Sequence, residues 1–138
     1  MSHAWNMVKL DGMWFHVDAT NNDSDIPYVT YNSSDNLVAS NYTFDDSFEI
    51  DSQIPSYKST KDSYDYYVKQ GLYASSESQL QTLIDQGFAS GDDFYIKVAS
   101  AIPTDKTIEI LYDRFQNNAS AADYNLYGSV MNVLAVMK

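Results

Sequence analysis

Two residues near the start of the chain, His3 and Asp18, have the types and spacing of a catalytic histidine and its carboxylate partner. An Asp-Gly pair between two alternating apolar runs is a strong signal for a two-residue β-hairpin turn, and Asp11-Gly12 stands in that position. This register makes His3 and Asp18 diagonal neighbours on adjacent strands, about 7 to 8 Å apart. The two side chains can meet across that separation, and a carboxylate hydrogen-bonded to the imidazole would fix its tautomer and leave the second nitrogen as a base.

Alternation along the two predicted strands separates a core face from a face that carries this pair. The core face is apolar apart from one asparagine and holds Ala4, Asn6, Val8, Leu10, Met13, Phe15, Val17 and Ala19. The second face holds His3, Trp5, Met7, Lys9, Trp14, His16, Asp18 and Thr20. We interpret His16, opposite Met7, as a packed or solvent-edge histidine. Histidine and aspartate on one sheet face are often inert, so spacing alone leaves both interpretations of His3 and Asp18 open.

The hairpin resembles the histidine-aspartate stretch of bacterial transglutaminase-like (papain-type) domains. The similarity is carried by His3-Ala4-Trp5-Asn6, Leu10-Asp11-Gly12, Trp14 and Val17-Asp18-Ala19-Thr20. The segment 28–45 also resembles the aromatic-rich strands that follow in the family, so the similarity covers about residues 2–50. The resemblance implies that His3 is the general base and Asp18 its orienting partner in a Cys-His-Asp triad. It also implies a protein or peptide amide substrate, used in hydrolysis or acyl transfer.

The sequence departs from the family at its nucleophile, because the chain contains no cysteine. In the family the cysteine precedes the histidine on a helix, whereas only Met1 and Ser2 precede His3 here. The family's tryptophan after the threonine position is also missing, since Asn21 follows Thr20. We therefore expect the chain alone to be inactive and interpret it as the C-terminal part of a larger transglutaminase-like protein. The alternatives are a non-enzymatic bacterial surface binding module and a split enzyme with its cysteine on another chain.

The composition limits the classes of partner and cofactor that the chain is expected to bind. Eight basic and 19 acidic residues give a formal net charge of −11, which argues against nucleic acid because phosphate binding needs clustered lysine and arginine. No run approaches the ~18 apolar residues of a membrane span, so we expect no membrane insertion, and the N-terminus lacks the pattern of a signal peptide. The lack of cysteine excludes disulfides and thiolate metal sites, and we expect no metal or cofactor. The sequence does not identify the cellular compartment, and it is compatible with a bacterial surface protein.

The fold class predicted from the sequence is α+β in two domains. Residues 1–55 are expected to form the antiparallel sheet remnant of a transglutaminase-like core, and residues 64–138 a small β-α-β-α-β domain after a polar linker or long loop at 56–63. The second domain is expected to begin with a strand, followed by a helix that starts at the capping-box pair Ser76 and Gln79 and ends at Gly91. A strand from Phe94 to Val98, a helix from Thr104 and a final strand over 124–137 complete it. This part, in the run 65–76, also resembles a small extension that follows such domains in some bacterial surface proteins.

The face that carries Trp5, Met7 and Trp14 predicts self-association. In the transglutaminase-like fold the cysteine-bearing helix covers this face, and an uncovered apolar patch tends to be buried by a partner. We expect a two-fold homodimer, which is the simplest closed assembly. The alternative is that residues 21–60 fold over the face and keep the chain monomeric.

Overall fold

Two sheets with accompanying helices make this an α+β protein, as the sequence predicts. The computed structural model describes residues 4–22, 26–39 and 58–137. The chain divides into two compact units, Met1–Lys69 and Gln70–Lys138. The first contains a three-stranded sheet and the second a four-stranded sheet.

The first unit is a small antiparallel sheet with short helices. Its strands are β1 (Asn6–Leu10), β2 (Met13–Val17) and β3 (Tyr31–Ser33), in that order across the sheet. The helices among its described residues are α1 (Ala19–Asn22), α2 (Asp35–Val38) and α3 (Tyr66–Lys69), with a 3-10 turn at Asp62–Tyr64. Within the ranges that the structure describes, the buried apolar side chains of this unit are Phe15, Ile26, Val29, Leu37, Val38 and Tyr67.

The register of the first hairpin is the one that the sequence predicts. Met7 lies opposite His16, and Asp11 and Gly12 form the turn. Their φ angles are 51° and 79°, and two successive positive φ values are typical of the type I′ turn that suits the twist of a hairpin. Asp11-Gly12 therefore determines which side chains share a face.

Both faces of β2 are covered. Phe15, on the predicted core face, is 0% exposed, and His16, on the opposite face, is also 0% exposed. A register shift follows His16, because His16 pairs with Ser33 of β3 while Val17 pairs with Tyr31. The predicted core face is therefore buried at Phe15, and His16 is the packed histidine that was one of its two interpretations.

Residues 58–69 belong to the first unit through hydrogen bonds to the segment around α2. The backbone N–H of Asp35 donates to the carbonyl of Ser59 at 2.9 Å. The Oγ of Ser33 donates to Asp65 at 2.5 Å, and Asp65 in turn accepts from the backbone N–H of Tyr67 at 2.9 Å. Of the predicted linker, residues 56 and 57 lie outside the described residues.

The second unit has the predicted strand-helix alternation with one correction. Its elements are β4 (Tyr73–Ala74), α4 (Glu77–Ser90), β5 (Phe94–Val98), α5 (Thr104–Asn118), β6 (Ala119–Tyr127) and β7 (Val130–Met137). The single final strand predicted over 124–137 is wrong: the chain turns at Gly128, whose φ is 55°, and forms two antiparallel strands. A weak alternation on both sides of a two-residue turn had concealed the break.

The sheet of this unit is mixed, in the order β4-β5-β7-β6. β4 pairs parallel to β5, and the other neighbours are antiparallel. The predicted start and end of α4 are confirmed, since the Ser76 Oγ accepts from the Gln79 N–H at 3.2 Å and Gly91 has a φ of 77°. The core of this unit combines residues of both helices and the sheet, among them Leu80, Ile84, Phe88, Ile96, Ile110, Leu111 and Met131.

Candidate functional site

Only one member of the predicted catalytic pair lies in the described part of the chain. His3 lies outside it, while Asp18 directly follows β2 and is 1% exposed. The backbone N–H of Asp18 donates to the carbonyl of Thr30 at 3.0 Å. Carboxylates are almost never fully buried unless they are paired or hydrogen-bonded. Asp18 thus has the burial of a residue with a specific role, and its contact with His3 stays a prediction.

The second histidine, His16, lies between a tryptophan and an aspartate. The indole Nε1–H of Trp5 donates to Nδ1 of His16 at 3.1 Å, and Nε2 of His16 is 2.6 Å from Oδ1 of Asp35. An indole N–H can only donate, so Nδ1 must accept, and the proton of a neutral imidazole lies on Nε2. Both ring nitrogens of His16 are therefore engaged, one as acceptor and one as donor.

Asp35 is held in place by the start of helix α2. Its second carboxylate oxygen accepts from the backbone N–H of Ser59 at 3.1 Å. The preceding residue, Ser34, caps the helix by accepting from the Leu37 N–H at 3.3 Å, and its hydroxyl donates to Asp62 at 2.5 Å. The Asp35 side chain itself is 46% exposed, so one partner of the buried imidazole reaches solvent.

The geometry of His16 and Asp35 fits a structural role better than a catalytic one. A general base needs a nitrogen within hydrogen-bond reach of the proton that it removes. In His16 that nitrogen accepts from Trp5 instead. The arrangement joins the residue before β1, strand β2 and helix α2 through one buried ring.

Sequence reasoning placed His16 on the correct face but did not find its partner. Asp35 is nineteen positions away, beyond a turn and a third strand, and no local periodicity connects the two residues. The available signal was the helix start at Ser34 and Asp35, which puts a carboxylate in a first turn where it is stabilised by the helix dipole. That signal indicates a cap and not a contact with histidine.

The tip of the first hairpin is bonded to the segment 58–69. The Tyr64 hydroxyl donates to Oδ2 of Asp11, and the ring of Tyr64 lies 4.8 Å from that of Phe15. The hydrogen bond to Asp11 raises the pKa of the Tyr64 phenol, with smaller contributions from burial and from the charge of Asp11. This contact stabilises the neutral phenol in the folded state.

A cluster of three tyrosine rings, Tyr28, Tyr31 and Tyr66, is partly open to solvent. Tyr28 and Tyr31 are 40% and 41% exposed, and the ring of Tyr28 lies 4.3 Å from that of Tyr66. Tyr28 has a φ of 59°, which is uncommon for a bulky residue. The buried Tyr67 holds this turn by donating its hydroxyl to the carbonyl of Pro27 at 2.5 Å.

No metal site or membrane span is found among the described residues. In residues 4–22, 26–39 and 58–137 no three histidine, aspartate or glutamate side chains are grouped so that they could hold a metal ion. None of the helices in the same ranges has the length and apolar character needed to cross a membrane.

The comparisons with known proteins leave the function to be inferred from geometry. No model of a known protein family matches the sequence, and no curated protein matches it significantly. Neither the transglutaminase-like resemblance nor any other family is therefore shown for this chain.

Proposed function

We propose that the first unit is the histidine-and-aspartate part of a transglutaminase-like fold, which acts on amide bonds together with a cysteine from outside these residues. The chain itself contains no cysteine, so it is inactive in isolation. The burial of Asp18 carries the proposal, because an aspartate that is 1% exposed at the end of a hairpin strand must be paired or hydrogen-bonded, as the partner of a catalytic histidine is. The hairpin register adds support, since the same register continued beyond Asn6 would make His3 the diagonal neighbour of Asp18.

Each residue has a defined role in the proposed reaction. His3 takes the proton of the cysteine thiol, and the thiolate attacks the amide carbonyl. The tetrahedral intermediate collapses to an acyl-enzyme while His3 returns the proton to the leaving amine. Water or a second amine then attacks the thioester and restores the thiol. Asp18 orients the imidazole of His3 throughout and stabilises its charged form.

Ring-proton NMR tests the pair directly, because the chain has only two histidines. With ¹⁵N-labelled histidine we expect two slowly exchanging, hydrogen-bonded ring N–H protons. Asp18→Asn should remove the protection of the His3 proton and leave that of His16. Asp35→Asn is the matched control: it should remove the protection of the His16 ring proton and leave that of the His3 proton. A His3 ring proton that is unaffected by Asp18→Asn would contradict the proposed pair.

The enzymatic part of the proposal is tested by activity. The purified chain should release no ammonia from a glutamine-containing peptide and transfer no acyl group to a labelled amine. A longer natural chain that includes these residues and a cysteine should show both activities, and both should be lost with His3→Ala. Turnover by the chain alone that disappears with His3→Ala would contradict the requirement for cysteine.

A second candidate function, a non-enzymatic binding module, is favoured by the tyrosine cluster. Exposed aromatic rings on a turn held by Tyr67 offer apolar faces and phenol hydroxyls to a ligand. Co-sedimentation with purified bacterial cell wall tests it: Tyr31→Ala should reduce binding, whereas Tyr112→Ala should not. Tyr112 is 54% exposed on α5 and serves as the matched control.

A further inference from the structure

The second unit has an open sheet edge along the first half of β5. The two residues of β4 pair only with Lys97 and Val98, and the Lys97 N–H donates to the carbonyl of Leu72 at 2.9 Å. Before Leu72 the chain turns away at Gly71, whose φ is 73°. Peptide groups alternate in direction along a strand, so Tyr95 points its N–H and C=O to the same side as Lys97. In the described part of the chain no strand pairs with Tyr95 on that side.

An apolar groove lies beside this edge. It has a volume of about 220 Å³ and is lined by Leu72, Leu83, Gln86, Gly87, Ser90, Phe94, Tyr95 and Ile96. The volume is below the roughly 300–1,000 Å³ of most small-molecule sites, so it suits an inserted side chain better than a cofactor. Gly87 helps to form the groove, because it carries no side chain where α4 passes closest to Phe94.

Two acidic residues flank the groove in the sequence. Its lining residues are uncharged, and the two residues directly before β5, Asp92 and Asp93, are both exposed. The whole chain carries a formal net charge of −11. A ligand with positive charge is therefore attracted at long range, and a negatively charged one is repelled.

We propose that the β5 edge and its groove bind an extended, basic peptide segment of a partner protein. The N–H and C=O of Tyr95 are complemented by the backbone of another strand, which is how an added strand gains affinity. The groove takes one apolar side chain of that segment, and lysine or arginine beside it pairs with Asp92 and Asp93. At this edge a basic segment is favoured over a second copy of this chain, since two copies would bring acidic groups together. This site does not depend on the amide-bond chemistry proposed for the first unit.

The probe is a fluorescein-labelled heptapeptide with a central leucine, two threonines on each side of it and one lysine at each end. It is titrated into the full ¹⁵N-labelled chain up to about 1 mM, the weak limit of specific binding. We expect chemical-shift changes at Tyr95 and at the groove residues, and slower hydrogen exchange of the Tyr95 amide. The Ile96 amide, which faces β7, should already be protected in the free protein. Replacing the central leucine by aspartate should abolish binding.

Charge-reversal variants locate the site. The double change Asp92→Lys and Asp93→Lys should weaken the peptide about tenfold, because two attractions become repulsions. Asp123→Lys reverses one charge on β6, at the opposite edge of the sheet, and should leave the affinity unchanged. Circular dichroism verifies that each variant is folded. The proposal is overturned by unchanged Tyr95 exchange at saturation, by no binding at about 1 mM, or by concentration-dependent self-association that buries this edge in place of the peptide.

Discussion

The Nε2 atom of His16 lies 2.6 Å from Oδ1 of Asp35, on a ring whose other nitrogen accepts a hydrogen bond from Trp5. His16 is 0% exposed, so both of its ring hydrogen bonds are made to protein side chains and not to bulk water. A buried polar group that loses its partner costs more free energy than the hydrogen bond contributes when it is made. The three residues should therefore be sensitive to single substitutions, in ways that differ from one partner to the next.

Replacing Asp35 by alanine should destabilise the first unit. The change removes the acceptor of the His16 N–H and the acceptor of the Ser59 backbone N–H. We expect a loss of about 1–3 kcal/mol in the free energy of unfolding, the cost of leaving a buried donor without a partner. Urea unfolding followed by tryptophan fluorescence measures it, because both tryptophans lie in the first unit.

The control for this substitution is Asp113→Ala, at an exposed position on α5. It should change the free energy of unfolding by less than about 0.5 kcal/mol, as surface substitutions usually do. Equal effects of the two changes would mean that the His16–Asp35 contact contributes nothing measurable.

The tautomer of His16 provides a second prediction. Because the Trp5 indole donates to Nδ1, neutral His16 should carry its proton on Nε2, and long-range ¹H–¹⁵N correlation spectra distinguish the two tautomers. Trp5→Phe keeps an aromatic ring but removes the donor, and we expect it to destabilise the unit by about 1–3 kcal/mol. Trp14→Phe leaves the Trp5 bond intact and should not alter the tautomer. An Nδ1–H tautomer in the unmodified protein would be inconsistent with the hydrogen bond from Trp5.

Local signals in the sequence predicted local structure well. The Asp11-Gly12 turn predicted the register of the first hairpin. The two ends of α4 were predicted from Ser76, Gln79 and Gly91. Both succeeded because turns and caps depend on a few neighbouring residues. Contacts between distant segments were missed. Asp35 meets His16 only after a register shift and a third strand, and such a contact depends on tertiary packing that no short window contains.

Coverage of the second face was predicted only as the alternative to a homodimer, with residues 21–60 folding over it. The uncovered face that led to the prediction of a homodimer is occupied at His16 by Asp35, and Trp5, Met7 and Trp14 are half-buried. The homodimer stays a prediction that sedimentation decides, since a clean 15.6 kDa species would contradict it.

The hairpin tip should weaken at high pH. The Tyr64 phenol donates to Asp11, and this contact raises the pKa of Tyr64 above its ordinary value of about 10. A group with a raised pKa contributes stability that is complete below the unfolded-state pKa and is lost as pH rises through the folded-state pKa. The contribution of Tyr64 should therefore disappear above about pH 10.

Difference titration isolates Tyr64 from the other tyrosines. The absorbance titration of the Tyr64→Phe variant is subtracted from that of the unmodified protein, and the difference should have its midpoint above about 10. In an Asp11→Ala background the same difference should move down toward the ordinary value. A midpoint that does not respond to Asp11→Ala would contradict the assigned cause of the raised pKa.

Adding a methyl group to Gly87 should destabilise the second unit, although alanine is the better helix former. A Cβ at Gly87 would lie 2.4 Å from Cγ and Cδ2 of the Phe94 ring, well inside van der Waals contact. Phe94 packs on Phe88 at 5.3 Å, so its ring has neighbours that resist displacement. Overpacking of this kind costs roughly 1–3 kcal/mol, against a gain of about 1 kcal/mol in helix propensity.

Circular dichroism at 222 nm follows the unfolding of this unit, since the two longest helices of the described residues both lie in it. Gly87→Ala should lower the midpoint of unfolding. Combined with Phe94→Leu it should cost less than the sum of the two single changes, because a smaller side chain at 94 relieves the clash. Ala89→Gly, at an exposed position of α4, measures helix propensity alone and should cost about 1 kcal/mol. If Gly87→Ala instead raises the midpoint by the amount that Ala89→Gly lowers it, propensity governs this position, and the close approach of α4 to Phe94 has no energetic consequence.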